Sequence, residues 1–217
     1  MLLKGGKFFI KTYGCAMNYA DADKVRTILS SSGASEVSSE LDADYVILVS
    51  CSVRKKPEDK ISGLGIKYLK KKFRGKTVVL TGCMAVRHDR KCDGSLNEAY
   101  SQNLSKKLPW IDHVIDIRKI ADLPKLLSDA NSDKSIAPVS YLEIPQPCSD
   151  GVQALIPIST GCDNFCSYCI VPYARGSLIN YSFKKVYEEA VRFISGNSDY
   201  EDFSFDENKE GLGDRSR

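Results

Sequence analysis

Residues 45–51 read YVILVSC, a β-branched and aromatic run that closes on a cysteine and predicts a strand over Tyr45–Ser50. The same pattern stands 32 residues further on, as TVVLTGC at 77–83, and 36 residues back, as KFFIKTYGC at 7–15. These predict strands over Thr77–Thr81 and Phe8–Thr12. A polar or Gly-containing turn and then a helical pattern follow each run. Asn18–Ser32 carries Val25, Ile28 and Leu29 at helical spacing with Gly33 as its stop, and Pro57 opens a pattern through Ile61, Leu64, Ile66 and Leu69. Strands that alternate with helices imply a parallel α/β sheet.

Further along, a helix is expected around Ser95–Lys107, a fourth strand at His113–Ile117 and a final helix over Ile120–Leu127. The sheet then has four or five strands, within an N-terminal domain spanning 5–130. SDANSDKS at 128–135 is polar and aperiodic, with Pro138, Pro145 and Pro147 behind it, so 131–150 reads as a linker. A strand at Gln153–Ser159, a Cys-rich loop and a helix at Ser182–Ile194 make one βα unit over 151–196. The tail, 197–217, carries seven acidic residues against three basic ones and is expected to fray, apart from one short strand at Tyr200–Phe205.

Composition excludes several classes. A 217-residue chain that is 42% hydrophobic and 27% charged is that of an ordinary soluble globular protein. Its net charge of +3 does not by itself announce a nucleic-acid binder. No apolar run approaches the ~18–20 residues of a membrane span. Lys4, Gly5, Gly6 and Lys7 stand where a secretory signal would need its apolar core, so a cytoplasmic protein is expected.

In that setting the eight cysteines point to metal or redox chemistry rather than to disulfides. Cys162, Cys166 and Cys169 are spaced C-x3-C-x2-C in TGCDNFCSYCIVPYARG (160–176), close enough for one loop to bring three thiolates to an iron–sulfur cluster. A four-iron cluster with three protein ligands keeps one iron open, as catalytic metals do. A zinc knuckle is the alternative, although it usually wants four ligands, and His88 and His113 are remote in sequence. Cys15, Cys51 and Cys83 each stand just past the carboxyl end of an expected parallel strand, the edge where such sheets bind ligands, and so read as a second three-cysteine site. Cys92 and Cys148 lack such placement and read as ordinary free thiols.

Between Arg54 and Lys76, ten basic residues face only Glu58 and Asp59. A solvated helix face is one reading and a nucleic-acid backbone contact the other, with Tyr13, Tyr173 and Arg175 available to stack on or clamp a base.

GCAMN (14–18), CSVRKKPEDK (51–60), TGCMAVR (81–87) and GCDNFCSYCIVPYARG (161–176) resemble, in order, the signatures of the radical S-adenosylmethionine methylthiotransferases. The resemblance runs from about Lys7 to about Gly176. It implies two [4Fe-4S] clusters. Cys162, Cys166 and Cys169 would hold the cluster that binds S-adenosylmethionine and starts the radical reaction, with Tyr168 near the adenine. Cys15, Cys51 and Cys83 would hold an auxiliary cluster that delivers sulfur, and a second S-adenosylmethionine would supply the methyl group. It further implies a tRNA substrate and an electron donor such as flavodoxin or ferredoxin. The Cys-x-Met-Asn form at Cys15 and the CSVR form at Cys51 look most like the members that methylthiolate C2 of N6-isopentenyladenosine beside the anticodon. Members acting on threonylcarbamoyl-adenosine are the alternative, and a non-catalytic iron–sulfur or zinc module that binds nucleic acid is the reading from another class.

The family's TIM-type radical barrel takes about 200 residues, whereas 67 follow residue 150 here. The expectation is therefore a complete N-terminal α/β domain followed by the first βα portion of an incomplete barrel. Such a chain would be inactive alone, or completed by a second chain.

Overall fold

A computed structural model describes residues 3–70, 73, 75–89, 95–128, 141–146 and 154–195. Five parallel strands form its sheet: β1 (Lys7–Tyr13), β2 (Ser35–Glu36), β3 (Tyr45–Ser50), β4 (Thr77–Thr81) and β5 (His113–Val114), in the order β2-β1-β3-β4-β5. Phe8 pairs with Tyr45 and Tyr13 with Ser50, while Tyr45 pairs with Thr77, so the three long strands begin and end together. The chain first winds outward from β1 to β2 and then returns to the other side of β1 with β3. That reversal makes the carboxyl ends of β1 and β3 the switch point where doubly wound sheets open a crevice.

Successive residues of β3 serve opposite faces. Ile47 and Val49 pack with Val25, Ile28 and Leu29 of α1 (Ala16–Ser31) and with Leu123 and Leu127 of α5 (Leu123–Leu127). Val46 and Leu48 pack with Ile61 of α2 (Lys55–Gly63), Tyr68 of α3 (Gly65–Tyr68), Leu104 of α4 (Glu98–Lys107) and Trp110. All four β3 residues have no exposed surface. A strand covered on both faces reads as a continuous apolar run, and VILV at 46–49 is that run.

The expected elements form with small shifts. The helix read at Asn18–Ser32 is α1, and the one read at Ser95–Lys107 starts at Glu98, where Asn97 Oδ1 accepts from the Tyr100 N–H as an N-cap. The strand expected at His113–Ile117 is limited to His113–Val114, because Ile117 already opens a 3-10 turn through Asp122 that runs into α5.

One expectation requires correction. The strand predicted at Gln153–Ser159 forms only at its end: 154–157 are not in a strand, Ile158 C=O accepts from Tyr181 N–H at 2.9 Å, and Ser159–Thr160 (β6) pairs antiparallel with Ile179–Asn180 (β7). Among the described residues no parallel neighbour stands beside 154–157 to complete a ladder. Between β6 and β7 lie the cysteine loop and the short α6 (Val171–Arg175), and α7 (Phe183–Ile194) follows with the Ser182 hydroxyl capping its first turn. The tail at 197–217 falls outside the described residues, as do Cys92, Cys148 and the strand expected at Tyr200–Phe205; of the linker expected at 131–150, 141–146 are described, and there Tyr141 and Ile144 are buried in the core beside α1 and α5 instead of forming a free connection.

Candidate metal and cofactor site

Two backbone hydrogen bonds and one from a serine hydroxyl extend the sheet beyond its strands and gather its cysteines. Cys51 N–H donates to Tyr13 C=O at 2.9 Å, Met84 N–H donates to Ser50 C=O at 3.1 Å, and the Ser52 hydroxyl donates to Cys83 C=O at 3.0 Å. Cys15 follows β1 at the N-cap of α1, Cys51 follows β3 and Cys83 follows β4. The turns are tight enough to require glycine. A Cβ on Gly14 would lie 2.8 Å from Cys51 Cβ and would strike the Asn18 amide oxygen. Gly82, at φ +88°, would bring a Cβ to 2.7 Å from Ser50 C=O.

Asn18, one turn into α1 and fully buried, lies among these sulfurs. Its side-chain oxygen accepts from Cys15 N–H at 3.4 Å and from the Cys15 thiol at 3.5 Å, and its amide nitrogen approaches Cys83 Sγ at 4.0 Å. The Cys51 sulfur takes hydrogen bonds from its neighbours. The bond from Cys83 is the largest influence pulling its pKa down to about 5, helped by the N–H groups of Val53 and Arg54 and by Cys15, against the cost of burial. Giving that bond, and being buried, pushes the Cys83 thiol well above the usual range. Cys51 and Cys83 thus share a hydrogen bond, with Cys15 beside Cys51, and three cysteine sulfurs brought together are the soft donors that iron–sulfur groups and zinc select. As the side chains stand, no group of three or more His, Cys, Asp or Glu among the described residues is set in metal-ligand positions.

Cys162, Cys166 and Cys169 share the loop between β6 and α6, with Cys166 exposed and the others half-buried. Cys169 N–H donates to Cys166 C=O at 2.9 Å, making the turn, and Phe165 takes a positive φ of 46° that reverses the chain. The Phe165 ring packs edge-on against Tyr173, centroids 5.8 Å apart. Tyr168 projects from the loop at 90% exposure.

The two sets meet through α6. Cys162 N–H donates to Gly176 C=O at 3.1 Å, and the preceding residue, Arg175, sends its Nε to Cys83 Sγ at 3.0 Å. The same guanidinium holds Asp21 through Nη1 at 3.2 Å and Nη2 at 2.5 Å, and the Tyr141 hydroxyl donates to Asp21 at 2.6 Å. Arg175 is 5% exposed, so the role expected for it in clamping a base is corrected: its charge is committed inward. An apolar cavity of about 270 Å³ opens between the first turns of α1 and residues 155–159, and none of the six cysteines lines it.

Asn18 and Asp21 are functional candidates that the sequence reading missed. They stand at i and i+3 on α1, in phase with Val25 and Ile28, so polar residues on the inward face of an amphipathic helix were the available signal.

The basic run divides. Lys67 pairs with Glu40, and Lys76 donates to Leu41 C=O and Ala43 C=O. Arg54, Lys55 and Lys56 are exposed beside Cys51, and Lys60 and Lys11 each lie 5.8 Å from the centroid of the Tyr13 ring. No helix among the described residues is long and apolar enough to cross a membrane.

Residues 7–116 match the uncharacterized protein family UPF0004. Over 179 residues the chain is 37% identical to the tRNA-2-methylthio-N(6)-dimethylallyladenosine synthase of Dictyoglomus thermophilum, covering 78% of this chain and 38% of that protein. Proteins of the same name from Stenotrophomonas maltophilia and a Hydrogenobaculum species are 32% and 36% identical, over 88% and 87% of this chain and 40% and 43% of theirs. The chain therefore spans about two-fifths of the length of these curated relatives.

Proposed function

The chain belongs to the uncharacterized protein family UPF0004, and from that premise we propose that it is the cluster-bearing part of a tRNA methylthiotransferase. Its substrate on this reading is N6-isopentenyladenosine beside the anticodon, modified at C2, which places the reaction in the cytoplasm. The observation that carries the proposal is the convergence of Cys15, Cys51 and Cys83 at the carboxyl edge of the sheet, tied through Arg175 to the segment that bears Cys162, Cys166 and Cys169.

Two sets of three thiols fit two [4Fe-4S] groups, each with one iron left open. Such groups, with S-adenosylmethionine at the second, supply radical and sulfur-transfer chemistry, while the protein positions the reactants and excludes water. The residues of this chain divide that work. Cys15, Cys51 and Cys83 would hold the auxiliary group in a largely dry crevice, Cys51 and Cys83 being 1% and 4% exposed. Cys162, Cys166 and Cys169 would hold the second group on an accessible loop, with Tyr168 exposed beside it to meet the adenine. Arg54, Lys55 and Lys56 offer phosphate contacts at the same edge of the sheet. A low-potential flavodoxin or ferredoxin would deliver the electron. Residues 5–130 would form the auxiliary-cluster domain, 131–150 the linker and 151–196 the start of the radical domain.

Iron, acid-labile sulfide and zinc measured per chain after anaerobic reconstitution test the reading. Near eight irons with matching sulfide is the expected result, and zinc without sulfide would overturn it.

A further inference from the structure

Arg175 is the point at which the two cysteine sets touch, and its surroundings determine what it can do. Its side chain is 6% exposed and its partner Asp21 is fully buried, so their ion pair lies in the interior. Breaking such a pair by removing one partner is costly, because it strands a charge. Two of the guanidinium nitrogens are taken by the Asp21 carboxylate, whose Oδ1 also accepts from Tyr141. This clamp fixes the plane of the guanidinium and leaves Nε aimed at Cys83 Sγ, 3.0 Å away. Arginine presents donors in a rigid fork, so holding two of them orients the third. The adjacent Gly176 takes φ +76°, a backbone conformation that side-chain-bearing residues rarely adopt. Its carbonyl receives Cys162 N–H, so the backbone that carries Arg175 also sets the start of the second cysteine loop.

We propose that Arg175, clamped by Asp21, is a positioning residue for the strand-end cysteine site, and that its Nε–H to Cys83 Sγ hydrogen bond raises the reduction potential of the iron–sulfur group held there. The proposal rests on the assignment of that group to Cys15, Cys51 and Cys83. Its physical basis is that hydrogen bonds to the sulfurs, together with net charge, set the potentials of such groups. A cationic donor stabilises the reduced, more negative state more than the oxidised one. Arg175 supplies such a donor from outside the sheet, so the electronic state of the first site depends on the seating of the segment that bears the second.

The test uses the full chain with Cys162, Cys166 and Cys169 changed to Ala, so that only the first site can load. Its midpoint potential is measured by redox titration for the parent, for Arg175→Lys and for Tyr141→Phe. Arg175→Lys keeps the charge near Asp21 but loses the oriented fork. The potential is expected to fall by about 59 mV, a tenfold change in a one-electron equilibrium. Tyr141→Phe removes another hydrogen bond from Asp21 without touching sulfur, and is expected to lower the unfolding midpoint while leaving the potential in place. An unchanged potential in Arg175→Lys, or an equal shift in Tyr141→Phe, would overturn the proposal. Should Arg175→Lys fail to fold, Asp21→Glu, which keeps the charge but displaces the carboxylate that holds the guanidinium, must shift the potential downward or the proposal fails. If the parent takes up no iron, the cluster assignment and the redox role fall together. The positioning role is then read from metal-free protein, by iodoacetamide labelling of Cys83. A labelling rate at Cys83 that differs about tenfold between Arg175→Lys and Tyr141→Phe supports it, and equal rates overturn it.

Discussion

Lys24 gives the structure a pH dependence of definite sign. It lies on the inward face of α1 with no exposed surface, and its ammonium donates to Tyr141 C=O at 3.0 Å, Ile144 C=O at 2.8 Å and the Tyr181 hydroxyl at 2.8 Å. Burial lowers its pKa from 10.5 to about 8. Glu189 of α7 and Asp21 of α1 oppose that shift, while Lys185 and Arg192 of α7 reinforce it. The unfolded chain holds the Lys24 proton up to about pH 10.5, and the folded chain releases it near pH 8. Between those values the unfolded state binds more protons, so raising the pH favours the fold. At ~1.4 kcal/mol per pH unit the full window is worth about 3 kcal/mol, of which about 2 kcal/mol falls between pH 7.5 and 9.5. Tyr68, Tyr141 and Tyr181 are pushed above the usual tyrosine range by burial, so above about pH 10 the sign reverses. The comparison therefore stops at pH 9.5. Urea unfolding of the parent and of Lys24→Met, followed by circular dichroism under reducing anaerobic conditions, isolates the lysine because every other titration is common to both. The parent's stability relative to Lys24→Met is expected to rise by about 2 kcal/mol from pH 7.5 to 9.5. A difference that stays flat across that range would refute the assignment of a desolvated, proton-releasing Lys24.

Two other perturbations follow from the site's geometry. Gly14→Ala forces a methyl group against Cys51 and Asn18, so thermal unfolding should show a loss of about 1–3 kcal/mol together with reduced iron retention. An unaltered melt would mean that the crevice is looser than described. The triple change Arg54→Glu, Lys55→Glu and Lys56→Glu should weaken binding of an anticodon stem-loop RNA. The logarithmic salt slope should fall by about 2–3 in a filter-binding series, each lost phosphate contact removing about 0.7–0.9. An unchanged slope would return this run to the role of a solvated helix face.

The sheet was legible because its three long strands carry β-branched and aromatic runs, and β3 and β4 are in addition buried along nearly their whole length, as at Val46–Val49. The placement of three cysteines past three such strands then followed from topology alone. β2 was not legible: Ser35–Glu36 is two exposed residues whose pairing with Lys7 and Phe8 is fixed by the chain's path, not by any side-chain pattern. The strand expected at Gln153–Ser159 forms only at its end for a related reason, since an apolar run becomes a strand only where a neighbouring backbone accepts its hydrogen bonds. The network of Asn18, Asp21, Lys24, Tyr141 and Arg175 lay beyond local reading because its partners stand up to 154 residues apart. The VPYARG motif marked Arg175 for attention but did not reveal that its charge points into the interior rather than toward a base.

Whether Cys15, Cys51 and Cys83 form one cluster site is decided by iron and acid-labile sulfide in the chain whose Cys162, Cys166 and Cys169 are changed to Ala. About four irons with equal sulfide per chain are expected, the content of one [4Fe-4S] group, with loss of both when Cys83→Ala is added. Zinc in place of iron and sulfide, or iron that persists without Cys83, would contradict such a site.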